Sequence, residues 1–351
     1  MIEDLIKPNI KALKAYAIEA QPCSIRLDAN ESPYGFPLEM PAVQTNRYPD
    51  PDAVSLREFL SSYYTVEPEC ILLGNGSDEL ISYLLTAVGG PVVIPSPTFS
   101  MYRIIAESLG EQYLMVPLDE QFDLDMEAML GAIEKENPKL IFLSRPNNPT
   151  GNSFKFGKVV EIIEKSRGLV VVDEAYQPFS PRGDSFIDLL PRYKNLLVMR
   201  TLSKIGMAAL RLGFLLGDKT LIEAINKVRL PYNVNSLSQA AALEILEDEQ
   251  AINTCINNVM DERDKLFSEL LKLKGIRAYP SDANFILFKL DMYSPLTAGA
   301  LHKRLIADDI LIKKLAGGGP LHNCFRVTVG TPKENAAFIT SLKKIIEETN
   351  K

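Results

Sequence analysis

"NLLVMRTLSKIGMAALRLGFLLGD", residues 195–218, sets two apolar runs on either side of a polar turn, and its reading decides the fold. "NLLVM" and "LGFLLG" are continuous rather than alternating, the pattern of strands buried on both faces. The turn between them carries Thr201, Ser203, Lys204 and Arg211. Small hydroxyls, a lysine and an arginine at the end of a buried strand suit the wall of an anion-holding pocket, and on this stretch alone suit equally a strand–loop–helix connection with ordinary surface charges.

The same rhythm extends upstream. Apolar runs recur in "CILLGNG" (70–76), "PVVIPSP" (91–97), "YLMVPL" (113–118), "KLIFLSRP" (139–146) and "GLVVVDEAY" (168–176). Between several of them lie stretches with helical spacing, such as "SDELISYLLTAV" (77–88) and "FGKVVEIIEKSR" (156–167). Continuous strands alternating with helices predict an α/β fold, a largely parallel sheet sandwiched by helices. Ligands of such sheets bind at the carboxyl ends of the strands, and the polar motifs fall there. Downstream, residues 236–276 read as one or two long helices. The tail then mixes strands ("ANFILFKL", "ILIKK", "NCFRVTVG") with helices, which predicts a smaller α+β domain. The expected division is an N-terminal arm with part of the small domain (1–30), a large domain (31–245) and a small C-terminal domain (246–351).

Composition narrows the function classes. The net charge of −7 over 351 residues speaks against a nucleic-acid surface, which needs a basic stripe. No apolar run approaches the roughly 20 residues of a membrane helix. The start, "MIEDLIKPNIKALKAY", does not read as a secretory leader. Cys23, Cys70, Cys255 and Cys324 form no C-x-x-C pair and read as reduced thiols of a cytoplasmic protein, with no metal site expected. Only two histidines are present, so proton transfer falls to another residue type, and lysine is a candidate.

The strand-end motifs form one constellation. "GNGSDEL" (74–80) sets Ser77 at the mouth of a helix, where free N–H groups favour an anion. It matches neither the dinucleotide fingerprint nor the Walker loop, which speaks against a nicotinamide dehydrogenase. "RPNNPTG" supplies Asn148, "VVVDEAY" ends in Asp173 and Tyr176, and "FRVTVG" holds Arg326 in a strand. Pyridoxal phosphate accounts for these groups together. It needs a lysine to condense with its aldehyde, a carboxylate for its pyridine nitrogen, and donors at the ring oxygen and phosphate. Lys204 fits the first need and Asp173 the second. Asn148 and Tyr176 suit the ring oxygen, while Ser77, Thr201, Ser203 and Arg211 suit the phosphate. A non-catalytic cofactor-binding module is the other class compatible with such a pocket, and Lys204 speaks against it.

With these motifs assembled, the chain resembles the pyridoxal-phosphate aminotransferases of the aspartate aminotransferase fold (fold type I). Within them it most resembles the histidinol-phosphate aminotransferase family. The narrower likeness rests on "LDANESPYG" (27–35), "RYPDP" (47–51), "GNGSDE" (74–79), "PNNPTG" (146–151), "DEAY" (173–176), "TLSK" with "RLGF", and "RVTVGTPKEN" (326–335). The resemblance implies transamination between L-histidinol phosphate and 2-oxoglutarate, giving imidazole acetol phosphate and L-glutamate, with Lys204, Asp173 and Tyr176 catalytic. It implies Asp78 and Phe99 at the cofactor, and a homodimer in which Tyr48 reaches the partner's cofactor phosphate. It implies Arg326, Tyr16 and Asn30 at the substrate, with Arg326 taking the α-carboxylate of glutamate. Lys313 stands where the family has a phosphate-binding arginine, and Arg145 where a small residue is usual. The lysine leaves room for other substrates: an aromatic or broad-specificity aminotransferase, or a threonine-phosphate decarboxylase, uses the same machinery. Arg145 is expected either to add positive charge near the cofactor or to point outward.

Overall fold

A computed structural model describes residues 5–15, 21–39, 43–181, 183–291, 295–315 and 318–349. The first strand, β1 (Ile25–Leu27), does not join the strands that follow it in the chain. Those strands are β2 (Ile71–Asn75), β3 (Val92–Ser96), β4 (Tyr113–Pro117), β5 (Leu140–Ser144), β6 (Leu169–Asp173), β7 (Leu196–Thr201) and β8 (Leu212–Gly217). They form one sheet in the order β2-β8-β7-β6-β5-β3-β4. Pairing is parallel from β4 through β7, whereas β8 runs antiparallel to both β7 and β2.

Alternate residues of each strand serve opposite faces, and both faces are covered. Val93, Ile141, Val170, Val172 and Val198 pack with Leu56 and Leu60 of the helix Val54–Tyr64 and with Val159 and Ile162 of Phe156–Lys165. Val92, Phe142, Val171 and Leu197 pack instead with Leu80 and Leu84 of Ser77–Val88 and with Tyr102 of Ser100–Leu109. Two-sided burial is why these runs are continuously apolar. It also sends every polar group of the sheet to the strand ends.

The second sheet combines β1 with β9 (Ile276–Ala278), β10 (Phe285–Leu290), β11 (Ile310–Lys314) and β12 (Cys324–Thr328), in the order β1-β11-β12-β10-β9. β1 lies parallel to β11 and the other pairs are antiparallel. Residues 236–276 begin as two helices, Ser236–Leu246 and Glu249–Leu271, because Asp248 caps the second by accepting from Ala251 N. The long helix joins Ala298–Ala307 and Pro332–Thr349 over one face of the small sheet, on Ile286, Phe288, Ile312, Phe325 and Val327. The alternate residues of β12, Arg326 and Thr328, reach groups of the segment 28–30 and of the large sheet's loops. That arrangement places a cleft at the carboxyl ends of β5, β6 and β7.

Candidate active site

A pocket at those strand ends is lined by Ser77, Asp78, Phe99, Ser144, Asn148, Asp173, Ala175, Tyr176, Thr201, Ser203, Lys204 and Arg211. Its empty space, including solvent at the open mouth, is about 470 Å³. One end is an anion cup. Some helices of the chain, though not all, are capped by a side chain, as at Asp125, Asn235 and Thr297. The helix Ser77–Val88 instead starts from Gly76 with no side-chain cap, so its first N–H groups stay available to a ligand. Gly76 adopts φ +84°, and a Cβ there would lie 2.5 Å from Arg211 Nη2. Glycine is thus what lets the guanidinium lie across the helix mouth. Arg211 itself sits at φ 54°. It reaches Ser203 Oγ at 3.4 Å and Asp78 Oδ2 at 3.5 Å. Thr201 Oγ1 donates to Leu212 O and accepts from Ser203 N, which holds the turn shut. Asp78 Oδ1 is buried there with no protein donor.

The other end is a buried carboxylate. Asp173, the last residue of β6, is 3% exposed. Its Oδ2 accepts from Tyr102 Oη at 2.5 Å and its Oδ1 from Ala175 N at 3.0 Å. Burial pushes its pKa up to about 6, and the Tyr102 hydrogen bond opposes that rise. The next residue, Glu174, points away from the pocket and accepts from Arg200 Nη2 at 2.6 Å, Phe186 N and Ser185 Oγ. This clamp behind the sheet fixes the strand end on which Asp173 stands.

Between the two ends lies the Lys204 amine, 5.9 Å from the Tyr176 ring centre and 3.5 Å from Ala29 O. Burial first, then the positive charge of Arg326, brings its pKa down to about 8. The Tyr176 hydroxyl accepts from Asn30 Nδ2 at 2.9 Å and Asn148 Nδ2 at 3.3 Å. Burial raises the Tyr176 pKa, so the phenol keeps its proton. Arg326 Nη1 donates to Asn148 Oδ1 at 2.7 Å and Nη2 to Asp28 O at 2.6 Å. Lys313 is the register partner of Arg326 across the antiparallel β11–β12 pair, so the two cations share a sheet face.

The sequence-predicted residues therefore divide. Lys204, Asp173, Tyr176, Asn148, Ser77, Asp78, Phe99, Thr201, Ser203 and Arg211 line one pocket, with Asn30 and Arg326 hydrogen-bonded to its Tyr176 and Asn148. Tyr48 is not among them: it is 80% exposed and stacked on Tyr232 at 4.5 Å. Tyr16 lies outside the described residues. Arg145 does neither thing expected of it. It is 1% exposed, lies 5.6 and 5.4 Å from the rings of Phe156 and Phe186, and pairs with Asp184 at 2.7 Å. Its charge is thus taken up by Asp184 and two aromatic faces. Tyr102 and Ser144 were missed. Tyr102 stands three residues after Phe99, in the helix that Phe99 precedes, but nothing in that spacing points to Asp173.

The donor set fits pyridoxal phosphate: a cation-and-hydroxyl cup at an uncapped helix N-terminus, a buried carboxylate opposite, and a lysine of lowered pKa between them.

Comparison with known proteins agrees. The family model "Aminotransferase class I and II" matches residues 27–342. The chain is 47% identical over 351 residues to histidinol-phosphate aminotransferase 2 of Nitrosococcus oceani, covering 96% of each chain. It is 42% identical over 356 residues to the histidinol-phosphate aminotransferase of Aquifex aeolicus, covering 98% of each. Its structure is similar to that of the Sinorhizobium meliloti histidinol-phosphate aminotransferase solved with pyridoxal-5'-phosphate. The TM-score is 0.87 at 26% identity, over 98% of both chains.

Proposed function

The chain belongs to the class I and II aminotransferases, and we propose that it moves the amino group of L-histidinol phosphate to 2-oxoglutarate, giving imidazole acetol phosphate and L-glutamate, a step of histidine biosynthesis. Pyridoxal phosphate is its cofactor. When bound, the cofactor supplies an aldehyde that takes the amino group and a protonated ring that draws electrons from the α-carbon. Everything else falls to the chain. Asp173 holds the proton on the ring nitrogen. Tyr176 and Asn148 orient the ring through its oxygen, and Phe99 covers a ring face. Ser77, Asp78, Thr201, Ser203 and Arg211 hold the phosphate end. Lys204 Nζ takes the α-proton as general base and then gives it up as acid. A pKa near 8 leaves part of this amine neutral at working pH, as that role requires.

Both substrates carry an anion near the reacting carbon, a carboxylate on it in glutamate and a phosphate beyond it in histidinol phosphate, and the cations of the small sheet suit them. Arg326 takes the α-carboxylate of glutamate in bidentate fashion, its guanidinium already oriented by Asn148 and Asp28. Lys313, beside it in register, takes the phosphate of histidinol phosphate as a point charge. Asn30 and Tyr16 complete the substrate side. The reading includes a homodimer in which Tyr48 crosses to the partner's phosphate cup, supported by the exposure of its ring. It includes a cytoplasmic location, supported by four free cysteines, and the division at residues 1–30, 31–245 and 246–351, supported by the pairing of β1 with β11. Among the described residues no helix is long and apolar enough to cross a membrane.

The carrying observation is Lys204, of lowered pKa, between a buried carboxylate and an anion cup. The test is a spectral titration of the cofactor-loaded protein with histidinol phosphate, with L-phenylalanine in parallel. Loss of the visible band at low histidinol phosphate and not at equal phenylalanine is the expected result. An equal or stronger response to phenylalanine overturns the substrate assignment in favour of an aromatic aminotransferase.

A further inference from the structure

Tyr102 is fully buried on the helix Ser100–Leu109, its ring parallel to Phe142 at 4.7 Å and edge-on to Phe99 at 5.5 Å. A phenylalanine would fill that stack equally well. What distinguishes tyrosine is one hydroxyl, and its hydrogen goes to Asp173 Oδ2 at 2.5 Å. An O–H···O⁻ bond of this length is the charge-assisted kind. Burial drives the Tyr102 pKa well up, so the phenol gives a proton to the bond at any working pH.

We propose that Tyr102 is the positioning residue of Asp173: its hydroxyl fixes the orientation of the carboxylate and keeps it ionised inside the apolar pocket. The inference rests on the reading of Asp173 as the partner of the ring nitrogen. Among the groups in direct contact, Tyr102 is the main one that opposes protonation of that carboxyl. Ala175 N–H supplies the other hydrogen bond, while the charges of Asp78 and Glu174 favour the protonated form. Tyr176, Lys204 and Arg211 are the remaining titratable or charged groups lining the pocket. The Tyr102 hydroxyl meets Asp173 at the carboxylate end of the pocket. Phe99, which precedes the helix Ser100–Leu109, and Tyr102 in its first turn thereby serve the same site: one lines the pocket and the other holds the acid beneath it.

The test is infrared titration of the Asp173 carboxyl in full-length protein, the band being assigned by its loss in Asp173→Asn. In Tyr102→Phe the pH at which the protonated carboxyl appears rises by about one to two pH units, the equivalent of one charge-assisted hydrogen bond. Replacing Tyr102 by 3-fluorotyrosine, a stronger donor of the same shape, moves the titration down, and this variant decides if Tyr102→Phe does not fold. A titration unmoved by the variants that fold overturns the proposal, since a packing role alone would change melting temperature without moving the carboxyl. The titration needs no substrate, so a wild type that fails to turn over histidinol phosphate refutes the proposed reaction and leaves this result standing.

Discussion

Lys204 gives the sharpest quantitative test, because a residue suited to catalysis is here unsuited to stability. Its pKa falls from the ordinary 10.5 to about 8 in the folded protein. The folded state therefore binds this proton less tightly than the unfolded chain does. The charged lysine costs stability in full below pH 8, and the cost fades as pH rises from 8 to 10.5. At about 1.4 kcal/mol per pH unit the penalty is at most about 3.5 kcal/mol, less where water reaches the half-buried amine. Lys204→Met keeps the length and discards the charge. The expected outcome in cofactor-free protein at pH 7 is a melting temperature raised by a few degrees, with turnover abolished in the loaded enzyme. The gain shrinks toward zero by pH 10.5. Differential scanning fluorimetry of both proteins across that range makes the comparison. A variant that melts below wild type at pH 7, or a gain that ignores pH, refutes the claim that the pocket depresses the amine.

Three further outcomes follow from particular contacts. Gly76→Ala forces a side chain into φ +84° and against Arg211, so pyridoxal-phosphate affinity should fall by at least about tenfold, read by fluorescence quenching, with overall fold kept by circular dichroism. Arg145→Met strips Asp184 of its bidentate partner and should cost about 3 kcal/mol in urea unfolding, with the kcat of the folded fraction unchanged. Lys313→Ala should raise KM for histidinol phosphate roughly tenfold, the loss of one charge-assisted contact, and leave KM for glutamate nearly unaltered; equal effects on both would remove Lys313 from the phosphate role.

Much of this protein is written locally in its sequence. A strand covered on both faces must be apolar throughout, so β5, β6 and β7 are legible as runs, and their polar ends mark where a ligand binds. The order of Asn148, Asp173, Lys204 and Arg211 along those ends is likewise a property of the chain read in one dimension. Periodicity carries no information about which distant group completes a hydrogen bond or pairs across a sheet. Folding decided that Tyr102 reaches Asp173, that Arg145 turns to Asp184 between two aromatic rings, that β8 inserts antiparallel between β2 and β7, and that Lys313 falls in register with Arg326. Each of these contacts joins segments distant in sequence or sets a direction that local pattern leaves open. The physical reason is that burial is a demand each residue states for itself, whereas the partner satisfying a buried polar group is chosen only when the elements pack.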